Sequence, residues 1–503
     1  MRSALTFPAL LLLAACATGS PRAPQVATPP AFEAQGAVAT PVQLDRWWTL
    51  YGDPQLTALI DEALDRGFTT REALARLDEA RAVRRNALRD FDPRGNLQAS
   101  ATRQQTYNLG SGSGIAPGGG AGGGTGQPGT GQPGTGQGGF PAGGFIFPGQ
   151  LDTYALSLPV QWELDLFGRR GAARRTADAE LDASRFAYLG ARSTLAADVA
   201  DQLFQARGLA VQVADSRETL RIRQELRRVV GIRAQRGLAP NADVNRVETD
   251  LATAQAQLQL QEAQLFAARR SLLALLGRAG DRLDSVPVEA RLAAPPLIPA
   301  GLPADLLVRR PDVLEARARL EGALGRLRTA ELAQFPTLTL TPSAGLNIVR
   351  GVFEATTSFW SLGANLALPL LDRARLRQDV KMQDARTEQA VLAFERSVQT
   401  AFSEADQSIA ALEADRRRAG VLEGGEARAR ASYDATLTQY RRGLTDLQGL
   451  LDAEAMWRAA RSQTTAARID ALSRSVQLFK ALGGGWSADA AIPSRISNRG
   501  TNR

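Results

Sequence analysis

Histidine is absent from the 503 residues, and cysteine occurs once, at position 16. The first absence removes the commonest acid–base side chain near neutral pH and the commonest metal ligand. The second means that no internal disulfide can form. Together they argue against enzyme chemistry. Past the N-terminus no run of roughly 18 apolar residues occurs, so no transmembrane helix is predicted. Proline is missing from two long windows, 168–239 and 372–482, which leaves both free to be helical. Charge is plentiful but mixed. The 60 basic and 52 acidic residues give a net +8 and are interspersed along the helical stretches, the pattern of solvated helix faces rather than of a nucleic-acid surface.

What is present begins with Arg2 and an apolar run from Leu5 to Ala15 that ends at Cys16. The run is too short to span a bilayer and fits a secretory signal, residues 1–15. Its end, Leu13-Ala14-Ala15-Cys16, resembles a bacterial lipoprotein box, in which the cysteine becomes the first residue and carries acyl chains. The alternative is an ordinary signal with an incidental cysteine. Ala17 follows Cys16; the absence of an Asp there favours the outer over the inner membrane. Residues 16–43, rich in Pro, Ala and Thr, read as a tether.

Two short helices are predicted next, near Gln55–Asp65 and from about Thr70 to Arg89. Strand candidates follow at 96–107 and 152–166. The second alternates strictly. Tyr154, Leu156, Leu158, Val160, Trp162, Leu164 and Leu166 share one face, and Ala155, Ser157, Pro159, Gln161, Glu163 and Asp165 share the other. The run is long enough to cross a bilayer. A carboxylate facing lipid is costly, so Glu163 and Asp165 would face a wet lumen. A half-buried strand of a soluble sandwich is the competing reading. Between the two strands, Gly110–Gly149 holds 19 glycines and no charge, with Thr-Gly-Gln-Pro-Gly repeated in tandem from Thr125 and Thr130. Such a segment loses too much entropy on ordering and buries too little, so 110–150 is predicted to be a disordered loop. Phe140, Phe145 and Phe147 at its end suit either a membrane interface or no fixed place at all.

Heptad spacing then governs residues 168–277. Val199, Ala206, Val213 and Leu220 form one row, and Ala196, Leu203 and Ala210 its partner. Val244, Leu251, Leu258, Leu265 and Leu272 continue the seven-residue period in a second helix. The first helix could reach about 65 residues, roughly 100 Å. Arg236-Gly237-Leu238-Ala239-Pro240 turns the pair into a hairpin, with Asn241 as the expected N-cap. A linker, 284–303, follows.

The chain then repeats itself. Ala75-Arg76-Leu77 returns 243 positions on as Ala318-Arg319-Leu320, and Pro93 returns at the same spacing as Pro336. A helix at 311–334, strands at 337–349 and 359–370 joined by a loop near Arg350–Ser358, and a hairpin at 372–482 are predicted. The second turn, Arg442-Gly443-Leu444, echoes the first 206 positions on. The Gly-rich segment in the first half accounts for the shortened spacing, and this agreement marks a duplication. Each unit, 44–283 and 304–485, is helix, strand, strand and long helical hairpin. Residues 486–503 read as a disordered tail. The fold class is mainly α with transmembrane β. Bacterial transmembrane barrels need about eight strands or more, because an open edge cannot face lipid. Four strands therefore require a barrel shared among chains.

Trp47-Trp48 with Asp53-Pro54, Leu164-Asp165-Leu166-Phe167-Gly168, Leu307 with Arg310-Pro311-Asp312, and the two Arg-Gly-Leu turns stand in an order that resembles the outer-membrane channels of tripartite efflux systems, the TolC and OprM-like (NodT-type) lipoproteins. The resemblance covers about residues 44–485. It implies a homotrimer whose strands make a 12-stranded barrel in outer-membrane lipid, continued by a periplasmic α-helical barrel. It implies no active site and no cofactor. The channel would be a passive conduit for drugs or other small molecules delivered by an inner-membrane pump of RND type and a periplasmic adaptor. Carried over by position, Arg236, Gly237, Leu238, Arg442, Gly443 and Leu444 would meet the adaptor, although the glycines also serve as helix caps. Asp243, Tyr440 and Asp452 would form the periplasmic gate. Gly449 stands where some relatives have an aspartate, which weakens a two-ring acidic gate; Asp446 or Arg441 could compensate or be solvated charges. A periplasmic adaptor or coiled-coil scaffold lipoprotein, and a type I protein-secretion conduit, are the alternatives.

Overall fold

The computed structural model describes residues 22–26, 29–34, 44–106, 149–297, 303–351 and 354–486. Cys16, the signal, the Gly-rich segment with its three phenylalanines, and the C-terminal tail past 486 lie outside the described residues. The chain forms two units: a sheet unit, Arg89–Arg170 with Ala333–Arg373, and a helical unit comprising the rest.

In the sheet unit, β1 (Arg94–Gly95) and β2 (Gln98–Thr106) both pair antiparallel with β3 (Gly149–Leu164). β3 pairs antiparallel with β4 (Thr337–Gly351), and β4 with β5 (Ala355–Ala367). The register sets like faces together: Tyr154 opposite Ile348, Leu156 opposite Leu346, Trp162 opposite Leu340 and Leu164 opposite Leu338. Tyr154, Leu156, Leu158 and Trp162 are exposed, and so are Trp360, Leu362 and Leu366 of β5. The apolar face is thus the open one. It ends at Asp152, whose carboxylate takes both Nε and Nη2 of Arg103 at 2.8 and 2.9 Å. On the other face Ser343 and Ser361 share a hydroxyl hydrogen bond of 2.9 Å. Phe359 lies over Gly345, where an added Cβ would come within 2.6 Å of the ring.

Three expectations change here. The first strand does not run unbroken through Asn96. Its register puts Asn96 opposite Pro159, which has no N–H to give, and the ladder breaks between Gly95 and Gln98. Asp165 is not a lumen-facing strand residue. β3 stops at Leu164, and Asp165 caps the following helix instead, accepting from the N–H groups of Gly168, Arg169 and Arg170 at 2.8, 2.7 and 3.1 Å. Glu163 does stay in the strand and pairs with Arg169 at 3.0 Å. The hairpin between β4 and β5 is tighter than the expected Arg350–Ser358 loop, because Thr356 and Thr357, β-branched, extend the ladder opposite Ile348 and Asn347.

The helical unit contains α1 (Pro54–Arg66), α2 (Phe68–Arg89), α3 (Arg169–Gln235), α4 (Asn241–Leu275), the short α5 (Leu306–Arg309), α6 (Pro311–Leu332), α7 (Arg373–Arg441) and α8 (Leu447–Ala481). Among the described residues no helix is long and apolar enough to cross a membrane. The duplication is visible in lengths. α2 and α6 have 22 residues each, α4 and α8 have 35 each, and α3 and α7 have 67 and 69. Most of the heptad positions are packed: Ala196, Val199, Leu203, Ala206, Ala210 and Val213 of α3 and Leu251, Leu258 and Leu272 of α4 are buried, while Leu220, Val244 and Leu265 are half-buried. The largest core gathers α1, α3, α4, α7 and α8 around Trp47, which is fully buried and stacks on Phe479 at 4.9 Å. Asn241 is not the N-cap of α4. It is already helical, and Pro240, extended at φ −70° and ψ 151°, holds the cap position without a side-chain bond.

The described part of the tether is docked along α7 instead of standing free. Arg22 reaches Glu388 at 3.2 Å and Glu395 at 3.3 Å, and the Gln25 N–H donates to Glu395 at 2.7 Å. Phe32 stacks on Phe402 at 5.7 Å, and the Ala34 N–H donates to Asp406 at 3.0 Å. Glu388, Glu395 and Phe402 recur every seven residues, so the segment follows one stripe of the helix.

Two substitutions test this packing. Trp47→Ala removes a buried ring from the largest core and should cost about 3–5 kcal/mol, read as a lower thermal midpoint. Glu395→Lys removes the acceptor for Arg22 and Gln25 and should leave stability within about 1 kcal/mol. Its signature is several-fold faster cleavage between Arg22 and Ala34 in limited proteolysis; an unchanged rate would mean that the segment is not held there.

Candidate functional site

The two turns are the same structure twice. After α3, Gly237 takes φ +72°; its N–H donates to Ala234 O at 2.9 Å, and the Leu238 N–H donates to Arg233 O at 2.8 Å. After α7, Gly443 takes φ +73°; its N–H donates to Tyr440 O at 3.0 Å, and the Leu444 N–H donates to Gln439 O at 2.9 Å. Both are Schellman caps, which close the last carbonyls of a helix and need a left-handed residue. In most such caps the following apolar residue packs back on the helix. Here Leu238 and Leu444 are each 73% exposed. Arg236 and Arg442 flank them, both exposed.

Among the described residues no hydrogen bond or ion pair joins the three gate candidates within one chain. Asp243 sits in the first turn of α4, and Asp452 is exposed on α8. Among the described residues neither side chain makes a hydrogen bond or ion pair within the chain. Tyr440 is buried, with the Arg233 guanidinium 4.9 Å above its ring, an α3–α7 contact. Asp446 is the N-cap of α8, accepting from the Gly449 N–H at 2.9 Å, so a capping role accounts for it.

The charged contacts that do join the hairpins lie elsewhere. Arg223 of α3 is 4% exposed and Glu454 of α8 is 1% exposed. Arg223 Nη1 meets Asp250 of α4 at 2.6 Å, and Nη2 meets Glu454 at 3.2 Å. Arg458 Nε lies 3.3 Å from the other Glu454 oxygen without completing a hydrogen bond. Burial pushes the Glu454 carboxyl above the usual carboxylate range, against the pull of Arg223 and Arg458. Nearby, Tyr433 of α7 stacks on Trp457 at 5.2 Å, and Arg430 and Arg461 lie over the indole at 5.9 and 5.8 Å. Sequence reasoning missed this cluster although a signal was there. Arg223 stands three and seven positions before the buried Leu226 and Val230, and Glu454 stands seven after Leu447 and three before Trp457. A charge at a core position of the period is the mark of a buried pair.

Two of the motifs that carried the resemblance prove to be clamps. Asp53 caps α1 through the Leu56 N–H at 3.1 Å and bonds the buried Arg207 of α3. Burial raises its carboxyl, but the Arg207 and Leu56 bonds outweigh that and hold it below the usual range. Arg310 is buried and holds three elements, reaching Asp312 at 2.6 Å, Glu404 of α7 at 2.8 Å and Ala481 O of α8 at 3.2 Å. Among the described residues no cluster of carboxylates could hold a metal ion.

The turns make a paired prediction. A Cβ added at Gly237 or Gly443 meets nothing within 4 Å, so Ala there costs only its left-handed backbone, about 1–2 kcal/mol. Both substitutions should speed amide exchange of the last helical turn by similar factors. No change at either glycine would mean that the turn does not hold this conformation.

Residues 59–278 and 302–484 match the family model described as outer membrane efflux protein. The chain is 28% identical over 491 residues to the pyoverdine export outer membrane protein OpmQ of Pseudomonas aeruginosa, covering 97% of this chain and 98% of that one. It is 29% identical over 463 residues to the toluene efflux pump outer membrane protein TtgF of Pseudomonas putida, covering 90% and 88%. In fold it is similar to the outer-membrane channel OprN, with TM-score 0.75 at 24% identity over 93% of this chain and 99% of that chain. It is also similar to the CmeC outer membrane channel of Campylobacter jejuni, with TM-score 0.79 at 18% identity over 94% and 96%. With both repeats matched, the adaptor and scaffold readings fall away, and the chain belongs to the outer membrane efflux protein family.

Proposed function

We propose that three copies of this chain close a 12-stranded barrel in the outer membrane and that their helical hairpins line its periplasmic continuation. The observation that carries this is the sheet. Its apolar face is exposed, and β5 and β2 leave two edges with no partner strand among the described residues. Unpaired backbone cannot face lipid, so β5 of one copy must meet β2 of the next. The conduit is passive and has no catalytic group. Its cargo is a class of small molecules handed over by a pump of RND type through an adaptor; two relatives are named for pyoverdine and toluene. Cys16 carries acyl chains that hold the chain to the outer membrane.

The exposed Leu238 and Leu444, with Arg236, Gly237, Arg442 and Gly443, form the adaptor-facing turns. Asp243 and Asp452, each without a hydrogen-bond or ion-pair partner among the described residues of one chain, form rings with their symmetry mates and attract cations at the narrow end. Tyr440 supports that end from within.

Cross-linking of detergent-extracted protein should stop at trimers; a monomer as the largest species would refute the shared barrel. In planar bilayers, Asp243→Ala with Asp452→Ala should raise single-channel conductance and lower preference for cations, and the same variant should raise antibiotic leakage into cells. Unchanged conductance, ion preference and leakage would remove both aspartates from the gate.

A further inference from the structure

We propose that each chain carries, on its lipid-facing side just beyond the apolar band, a site for the phosphorylated sugar headgroup of an outer-leaflet glycolipid, made by Arg103 and Arg350 on either side of Asp152. The site rests on the channel reading above. Residues opposite one another in an antiparallel pair share a face of the sheet. Arg103 of β2 is opposite Asp152 of β3, and Asp152 is opposite Arg350 of β4. Asp152 stands two residues before Tyr154, so all three charges lie on the face of the exposed Tyr154, Leu156, Leu158 and Trp162. From Tyr154 to Leu164 that face covers about 33 Å of strand, or about 25 Å of height at a tilt of about 40°. The lipid-facing band of a membrane barrel is about 25 Å tall. The Leu164 end leads on into α3, whereas the Asp152 end carries the β4–β5 hairpin. In the proposed barrel the three charges therefore stand level with the headgroups of the outer leaflet.

A cross-strand ion pair needs one arginine, and here there are two. Arg103 already covers both oxygens of Asp152, at 2.8 and 2.9 Å. Its side chain is still 69% exposed, and its Nη1 makes no hydrogen bond among the described residues. Arg350, on the other flank of Asp152, is exposed and has no hydrogen bond or ion pair among the described residues. Glu354, the next carboxylate past β4, is exposed and makes no ion pair there either. Two guanidiniums around one carboxylate leave a positive charge beside hydrocarbon, where water is scarce and an anion is worth most. The backbones of β2 and β4 lie about 10 Å apart, close enough for two arginine side chains to converge on one group. Guanidinium planes match phosphate oxygens in pairs. A phosphomonoester offers three such oxygens and a charge of about −1.5 to −2, so it can engage both arginines at once. The phosphodiester of a common phospholipid offers fewer oxygens and one charge.

The test is native mass spectrometry of the full-length, acylated protein in neutral detergent, titrated with diphosphoryl lipid A. Up to three lipids should bind per trimer. Arg350→Gln breaks no contact among the described residues; it should weaken lipid A binding about tenfold, the loss of one charge-assisted hydrogen bond, at unchanged trimer yield. Arg103→Gln with Arg350→Gln should weaken it about a hundredfold. Arg94→Gln removes an arginine paired with Asp90 at the other end of the sheet and should leave binding unchanged. Phosphatidylglycerol should bind the unaltered protein and Arg350→Gln equally, and millimolar inorganic phosphate should not displace lipid A. Overturning results are unaltered affinity in both the single and double variants, an equal loss in Arg94→Gln, phosphatidylglycerol binding that falls with Arg350→Gln as lipid A binding does, or displacement by free phosphate. If the double variant does not assemble, Arg350→Gln decides alone. Unaltered protein that gives no detergent-stable trimer would refute the channel reading instead, and trimers that take up lipid A equally in every variant would refute this site alone.

Discussion

A backbone in hydrocarbon has no water to satisfy it, and this sheet has two edges that find no partner strand among the described residues. Every other feature of the β-unit follows from that shortage. The apolar face is turned outward and stays exposed in the single chain, the small and hydroxyl-bearing residues take the other face, and the Arg103–Asp152 pair stands at the limit of the apolar band. A soluble sheet would bury the face this one displays. In the proposed barrel the exposed tryptophan and leucines of β5 would be part of a larger outer surface.

The helical unit solves a different problem by repetition. Four helix ends close with the same cap, at Gly237, Gly277, Gly443 and Gly483, and the two pairs are each 206 positions apart. Each cap satisfies carbonyls that a long helix would otherwise leave open at its end. Between them the two hairpins share a core at the Trp47 level and a second one near the turns, and the ionic network interrupts the second. The repeats are equal in the lengths that set the distance between caps and unequal in the side chains that meet across them.

Local patterns were legible in the sequence, and pairings were not. The alternation at Tyr154–Leu164, the seven-residue rows of α3 and α4 and the Arg-Gly-Leu turns each depend on residues close in the chain, and each reads directly. Asp165 fits the same alternation, yet its carboxylate does better on three helix-end N–H groups than inside a lumen. Pro159 breaks the ladder opposite Asn96 only because of a register that no single strand encodes. Arg223 and Glu454 escaped for the opposite reason. Periodicity is counted on apolar residues, so a charge in a core position registers as a gap. The docked segment from Arg22 to Ala34 has composition typical of a free linker, and its anchors lie some 370 residues away in sequence, Gln25 to Glu395 for one.

That docked segment sets the length of a leash. If Cys16 were acylated as proposed, only the residues between Cys16 and Arg22 would span from it to the stripe of α7 that begins at Glu388, and six residues fully extended reach about 20 Å. An acyl chain on Cys16 would thereby fix how far from the inner leaflet that point of α7 can stand. Membrane attachment would then act as a depth stop, and in a symmetric assembly every copy would be held to the same mark.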